Sequence, residues 1–141
     1  MTDLHEAARQ IDKEESRGAA ALWFGVLGSP LAWAGHLAVN YSLEEWFACA
    51  SSTSTRGKVL GLSVDTASII FNTAMAAVAL ASLMVALSCR RKLRRVEGDD
   101  ERIDRARFMA LAGVVEGALF LGIILLGYLP PFLLDTCEMA P

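Results

Sequence analysis

Hydrophobic and charged positions along this chain are segregated into blocks. Ala19 to Leu43 contains one ionisable side chain, His36; Thr66 to Cys89 contains no charge; Phe108 to Leu134 contains one, Glu116. These windows are 25, 24 and 27 residues long. A hydrocarbon core of about 30 Å takes roughly 20 helical residues at about 1.5 Å each, so each window is long enough to cross it. A soluble bundle of greasy helices would keep a polar face on each helix, and these windows keep none. The pattern predicts an all-α membrane protein with three transmembrane helices at about 19–43, 66–89 and 108–129. An N-terminal segment, 1–18, precedes the 19–134 transmembrane domain, and a tail, 135–141, follows it. Residues 1–18 are acidic and polar rather than a short basic leader, so the first helix is expected to stay in the mature protein.

Polar residues inside the windows fall on narrow stripes. In the first helix Gly25, Ser29, Ala32, His36, Asn40 and Glu44 follow one another at steps of four and three, and so share a face. Ser68, Asn72, Met75, Ala79, Ser82 and Ala86 do the same in the second. The third carries Gly113 and Gly117 in a GxxxG pattern, with Glu116 beside it and Gly122 and Gly127 beyond. Small and polar stripes let membrane helices approach and hydrogen-bond, so the three are expected to face one another, with dimerisation as the competing explanation of GxxxG. Counting about 1.5 Å per residue from Ala19 and Phe108 puts Glu116 ~12 Å, Ser29 ~15 Å and His36 ~25 Å from one boundary. Asn72, counted from the other side, lies ~21 Å from that same boundary. His36 and Asn72 can therefore meet, and His36 and Glu116 cannot.

Composition and charge narrow the picture further. Of the 141 residues 54% are hydrophobic, and the mean hydropathy is +0.40, too apolar for a disordered chain. A net charge of −3 speaks against nucleic acid as a partner. The 13 Lys and Arg are unevenly placed. Arg9, Lys13 and Arg17 precede the first window, and Arg90, Arg91, Lys92, Arg94, Arg95, Arg102, Arg105 and Arg107 lie between the second and third. Only Arg56 and Lys58 lie on the other side. By the positive-inside rule the N-terminus is expected in the cytoplasm and the C-terminus outside.

The connecting segments carry their own expectations. Leu4, Ala8 and Ile11 suit either a short surface helix or a frayed tail. Residues 50–55 are polar and of low complexity, and read as a mobile loop. The block Arg90, Arg91, Lys92, Arg94, Arg95 serves as a topology anchor on the inner side or binds anionic headgroups. Pro130 and Pro131 end the third helix. Cys49 and Cys137 fall on the outer side, where an oxidising compartment favours a disulfide, with two free thiols as the alternative; Cys89 faces the reducing side.

Candidate chemistry is sparse. Glu116 is a costly group in mid-span and marks either a buried partner or a proton pathway. As a neutral acid it can donate to Ser29, or to the Val26 carbonyl, whose usual amide partner is removed by Pro30. A haem or metal site at His36 needs further ligands, yet His5 lies in the N-terminal segment and the chain has no CxxC, CxxCH or HExxH. No nucleophile constellation, phosphate loop or dinucleotide fingerprint is present, so neither catalysis nor a cofactor is expected of this chain. Membrane lipids and either other integral-membrane subunits or a second copy are the expected partners.

The run Trp23-Phe24-Gly25-Val26-Leu27-Gly28-Ser29-Pro30-Leu31-Ala32-Trp33, followed by Leu37, Tyr41 and Cys49, resembles the first helix of small uncharacterised bacterial membrane proteins. These are associated with haem-copper cytochrome oxidases and their assembly factors. The likeness covers about the first 50 residues; Ser29 stands where those proteins have Gly or Pro before the proline. It implies an inner-membrane location and an accessory or assembly role beside a respiratory oxidase, and carries over no catalytic residue. The resulting expectation is a non-catalytic accessory subunit or assembly partner of a larger complex. The competing reading is a small homo-oligomeric transporter or proton-pathway protein using Glu116 and His36.

Overall fold

A computed structural model describes residues 2–43, 45, 58–59, 61–95 and 100–129, with the backbone alone at 2–14, 58–59, 64 and 65. Three helices make up the fold: α1 (Thr2–Leu43), α2 (Val64–Leu93) and α3 (Glu101–Leu126). Each is long and apolar enough to cross a membrane, over Glu15–Leu43, Thr66–Leu93 and Glu101–Leu126. Two short antiparallel strands, β1 (Lys58–Val59) and β2 (Leu62–Ser63), precede α2. Gly61 turns between them at φ +83°, a backbone setting that residues with a Cβ rarely adopt.

All three helices begin before their windows, and α3 also ends at Leu126, short of the expected 129, because the charge-free stretch measures lipid thickness whereas a helix starts and stops where capping and backbone chemistry set it. α1 runs from Thr2 without a break, since residues 2–17 are rich in Ala, Glu, Arg, Gln and Lys and contain no Gly or Pro. The N-terminal segment is thus an extension of the first span rather than a separate surface helix or a frayed tail. α2 begins after Ser63, whose hydroxyl accepts from the Thr66 amide at 3.2 Å, an N-cap. It ends with Arg90, Arg91 and Lys92 in its last turn, where cations suit the negative end of the helix dipole. α3 starts at Glu101 under an Asp100 cap, seven residues before Phe108, and its first turn holds the acids Glu101 and Asp104. It stops at Leu126, capped by Gly127, ahead of the proline pair. Pro130 and Pro131, the loop 50–55, Cys49 and Cys137 lie outside the described residues, and Cys89 is a free thiol.

The contacts set the direction of each helix. Gly25 lies against Ala86, and Ser29 reaches Ala79, so α1 and α2 are antiparallel. Gly117 lies against Leu83 and Thr73 meets Tyr128, so α2 and α3 are antiparallel as well. α1 and α3 run parallel, joined by Gly25 with Gly113 and by Trp33 with Phe120, whose ring centroids are 5.2 Å apart. The stripes face inward as expected: Gly25, Ser29, Ala32 and His36 from α1, Asn72, Ala79, Ser82 and Ala86 from α2, and Gly113 and Gly117 from α3 are all buried. Ala110 and Ile124 complete the α3 face. Gly122, although small, meets nothing.

Two serines tie α1 to α2 at the level of Pro30. Ser29 Oγ donates to the Ala79 carbonyl at 3.2 Å, and Ser82 Oγ donates to the carbonyls of Phe24 and Gly25 at 2.9 and 3.2 Å. A Cβ on Gly113 would lie 2.6 Å from the Gly25 carbonyl oxygen, closer than any real contact. Gly113→Ala is therefore expected to push α3 off α1 and lower stability by about 1–3 kcal/mol. Gly122→Ala, pointing into open space, should be neutral or mildly stabilising. Reversible unfolding of the two variants in mixed detergent micelles checks both, and equal effects would refute the close approach.

Candidate functional site

Polar side chains cluster at the end of the bundle where α1 and α3 finish and α2 begins. Helical steps of four put His36 and Asn40 one turn apart on α1, and Ser68 and Asn72 one turn apart on α2. Because α1 and α2 are antiparallel, the two pairs come to the same depth. Asn40 Nδ2 donates to His36 Nδ1 at 2.8 Å, and Ser68 Oγ donates to Asn40 Oδ1 at 2.5 Å. With Nδ1 accepting, a neutral His36 ring carries its proton on Nε2. The Asn72 side chain lies beside this ring.

The third wall is backbone. At Gly127 an added Cβ would sit 2.7 Å from His36 Cε1 and 2.8 Å from Nε2, so the imidazole fills the space that any other residue at 127 would need. The C-cap of α3 and the His36 ring thus fix each other. One residue beyond Asn72 and Gly127, Thr73 and Tyr128 share a hydroxyl–hydroxyl bond at 2.8 Å, which joins α2 to the turn after α3.

His36 is 6% and Asn72 2% exposed, so the cluster is closed rather than a cleft. One group remains unsatisfied: Asn72 Oδ1 is buried and has no hydrogen-bond partner among the described residues. An orphaned buried acceptor costs about 1–3 kcal/mol. Chemically the cluster can orient an imidazole and join three helices. Among the described residues no three His, Cys, Asp or Glu side chains converge to hold a metal ion.

Glu116 stands apart from this cluster. It is half-buried, three residues after Gly113 and four before Phe120 on the α1-facing flank of α3. Ser29, expected as its partner, instead donates to Ala79. Among the described residues no hydrogen bond or ion pair reaches Glu116. Between its level and that of His36 the core is filled by Ala32, Ala79 and Ile124, packed by Trp33 and Leu121. The separation along α3 is about 16 Å.

Of the intramembrane polar residues singled out in the sequence, the fold joins His36, Asn40 and Asn72, sends Ser29 to the α1–α2 seam, and leaves Glu116 alone. Ser68 and Gly127 belong to the cluster as well. Ser68 was legible as the residue four before Asn72, whereas nothing in the one-dimensional pattern matches Gly127 to His36. The bond between Thr73 and Tyr128 likewise had no sequence signal.

A double-mutant cycle separates an interhelical joint from a relay. Asn40→Ala and Ser68→Ala are expected to couple by about 0.5–2 kcal/mol, the range of interhelical hydrogen bonds in membranes. His36→Ala and Glu116→Ala should be additive within about 0.5 kcal/mol. Micellar unfolding measures both cycles, and strong coupling between His36 and Glu116 would restore a connected polar path. Compared with known proteins, the chain matches no family model, no curated protein and no solved structure.

Proposed function

We propose that this chain is a non-catalytic accessory subunit or assembly partner of a larger integral-membrane complex, docking through the outer faces of its three helices. The observation that carries this reading is Glu116. An acid at the middle of a span is costly unless it is paired or faces a polar interior. Here it has no partner among the described residues of its own bundle, and a donor or acceptor on a neighbouring subunit would supply one. The surroundings suit such a contact: Val115 and Leu119 on one flank of it are 59% and 56% exposed, which gives a partner helix apolar surface beside the acid.

Orientation and location belong to the same proposal. The excess of Lys and Arg ahead of the first apolar window and between the second and third supports an N-terminus in the cytoplasm and a C-terminus outside. With the likeness of residues 23–49 to oxidase-associated proteins, it supports the bacterial inner membrane and a respiratory oxidase as the assembly. The transporter reading has less support, because it needs Glu116 and His36 on one interior path and the packed apolar layer of Ala32, Ala79 and Ile124 lies between their levels.

Native mass spectrometry after gentle extraction from the source membrane tests the proposal. The chain is expected to travel with a much larger stoichiometric assembly. Glu116→Gln, which can still hydrogen-bond, should keep that association, and Glu116→Leu should weaken it about tenfold or more. A chain found alone or as a homo-oligomer would sink the accessory reading, and proton-dependent flux abolished by Glu116→Gln would establish the competing one.

A further inference from the structure

The basic residues at the end of α2 do more than mark a boundary. Leu93 and Arg94 lie three and four residues after Arg90 and so share a face with it. That face opens on a cavity of about 200 Å³ between α2 and α3, closed on the other side by Arg107 and Leu111 of α3. Three guanidinium groups thus meet two leucines in one cleft, where the chain passes from apolar span to charged connection. Arg107 is held in place: its Nη1 donates to Asp104 at 3.0 Å and its Nε to the Leu93 carbonyl at 3.5 Å. The nearby acid Glu101 pairs with Arg105 at 3.1 Å. Both acids of the first turn of α3 are therefore engaged by α3's own arginines, and no acid among the described residues forms an ion pair with Arg90 or Arg94.

We propose that this cleft is a binding site for the headgroup of an anionic glycerophospholipid. Guanidinium groups match phosphate oxygens in geometry and charge. The carbonyl ends of α2 add a negative dipole there that favours cations but repels a free anion, so the ligand must bring more than charge. Leu93 and Leu111 supply the remainder, an apolar floor for the first methylenes of the acyl chains. Leu111 is 43% exposed and Phe108 71% exposed beside it, which leaves a path for those chains down the α3 surface. A soluble phosphate ester offers the same oxygens and nothing for the leucines, and that difference selects the lipid. This inference does not rest on the accessory role: a lone bundle would bind the lipid equally well.

The experiment uses the full chain in nanodiscs containing equal amounts of phosphatidylglycerol and phosphatidylcholine with identical acyl chains, released into the mass spectrometer with lipids attached. The wild-type chain is expected to retain one phosphatidylglycerol at least tenfold over phosphatidylcholine. Arg90→Gln with Arg94→Gln should lower that retention about thirty-fold, the effect of two basic residues. Arg91→Gln with Arg95→Gln removes the same charge from the other side of α2, where Ser88, Arg91, Lys92 and Arg95 line a separate cleft, and should leave retention unchanged. These four side chains have no ion pair among the described residues, so unchanged circular dichroism is expected of both pairs. Equal loss in both pairs would reduce the effect to surface charge and overturn the site, as would equal retention of the two lipids. Displacement of the lipid by millimolar glycerol phosphate would make a soluble phosphate ester the ligand, and would also overturn it.

Discussion

The close approach of the α1 and α3 backbones at Gly25 and Gly113 is the constraint on which the rest of this bundle depends. Lipid tails are as apolar as leucine, so no hydrophobic gain draws these helices together; packing and hydrogen bonds must do so. A carbonyl that faces the Cα of a glycine across a helix interface gains dispersion and a weak Cα–H···O contact that any larger residue would forbid. With α1 and α3 in contact there, Ala86 of α2 lies against both glycines, and all three helices meet at one level. α2 runs opposite to both neighbours, as successive crossings of one membrane require.

From that level the interior changes character along its length. Next come the serine bonds, Ser82 to the carbonyls of Phe24 and Gly25 and Ser29 to that of Ala79, close to the place where Pro30 leaves the α1 hydrogen-bond ladder one donor short. The two hydroxyls satisfy themselves on the facing helix without a charged group. An apolar layer follows, and then the His36 cluster at the far end. The order gives the bundle a close-packed end and a polar end, and it isolates the imidazole from the acid. Buried polar networks of this kind specify one register among helices that could otherwise slide past one another. Asn40 hydrogen-bonds both His36 on its own helix and Ser68 on the facing one, so a slip of one turn between α1 and α2 would break the pair with Ser68.

Charge is arranged by the same logic of depth. The acids at the start of α3 are matched by arginines three and four residues later on their own helix, exposed pairs that contribute little to stability but leave the basic end of α2 unmatched within the described residues. Glu116 is the mirror case inside the membrane, an acid with no partner among the described residues of its own bundle. In the proposed roles the basic end meets anionic headgroups and the acid meets a neighbouring subunit. Together they give a small scaffold whose chemistry is directed at its surroundings.

Several features of this protein were determined by the sequence alone. Three uncharged windows and the cost of exposing backbone to lipid leave helices as the economical solution, and steps of three and four along each window place Ser29, His36, Asn72, Ser82 and Gly113 on inward faces before any contact is known. Depth counting from the window ends even brings His36 level with Asn72, because helical rise is nearly constant. Helix ends were less legible, since α1 and α3 continue through charged residues that are good helix formers. The partners of each polar group were decided only by the tertiary structure. Ser29 stood at a depth where it could have met Glu116, yet the rotation of α1 about its axis turned its hydroxyl to Ala79 and left the acid alone. Gly127 accommodates His36 through the relative position of two helices ninety residues apart. Depth is a property of one helix and can be read along the chain; rotation and neighbour are properties of pairs, and only packing sets them.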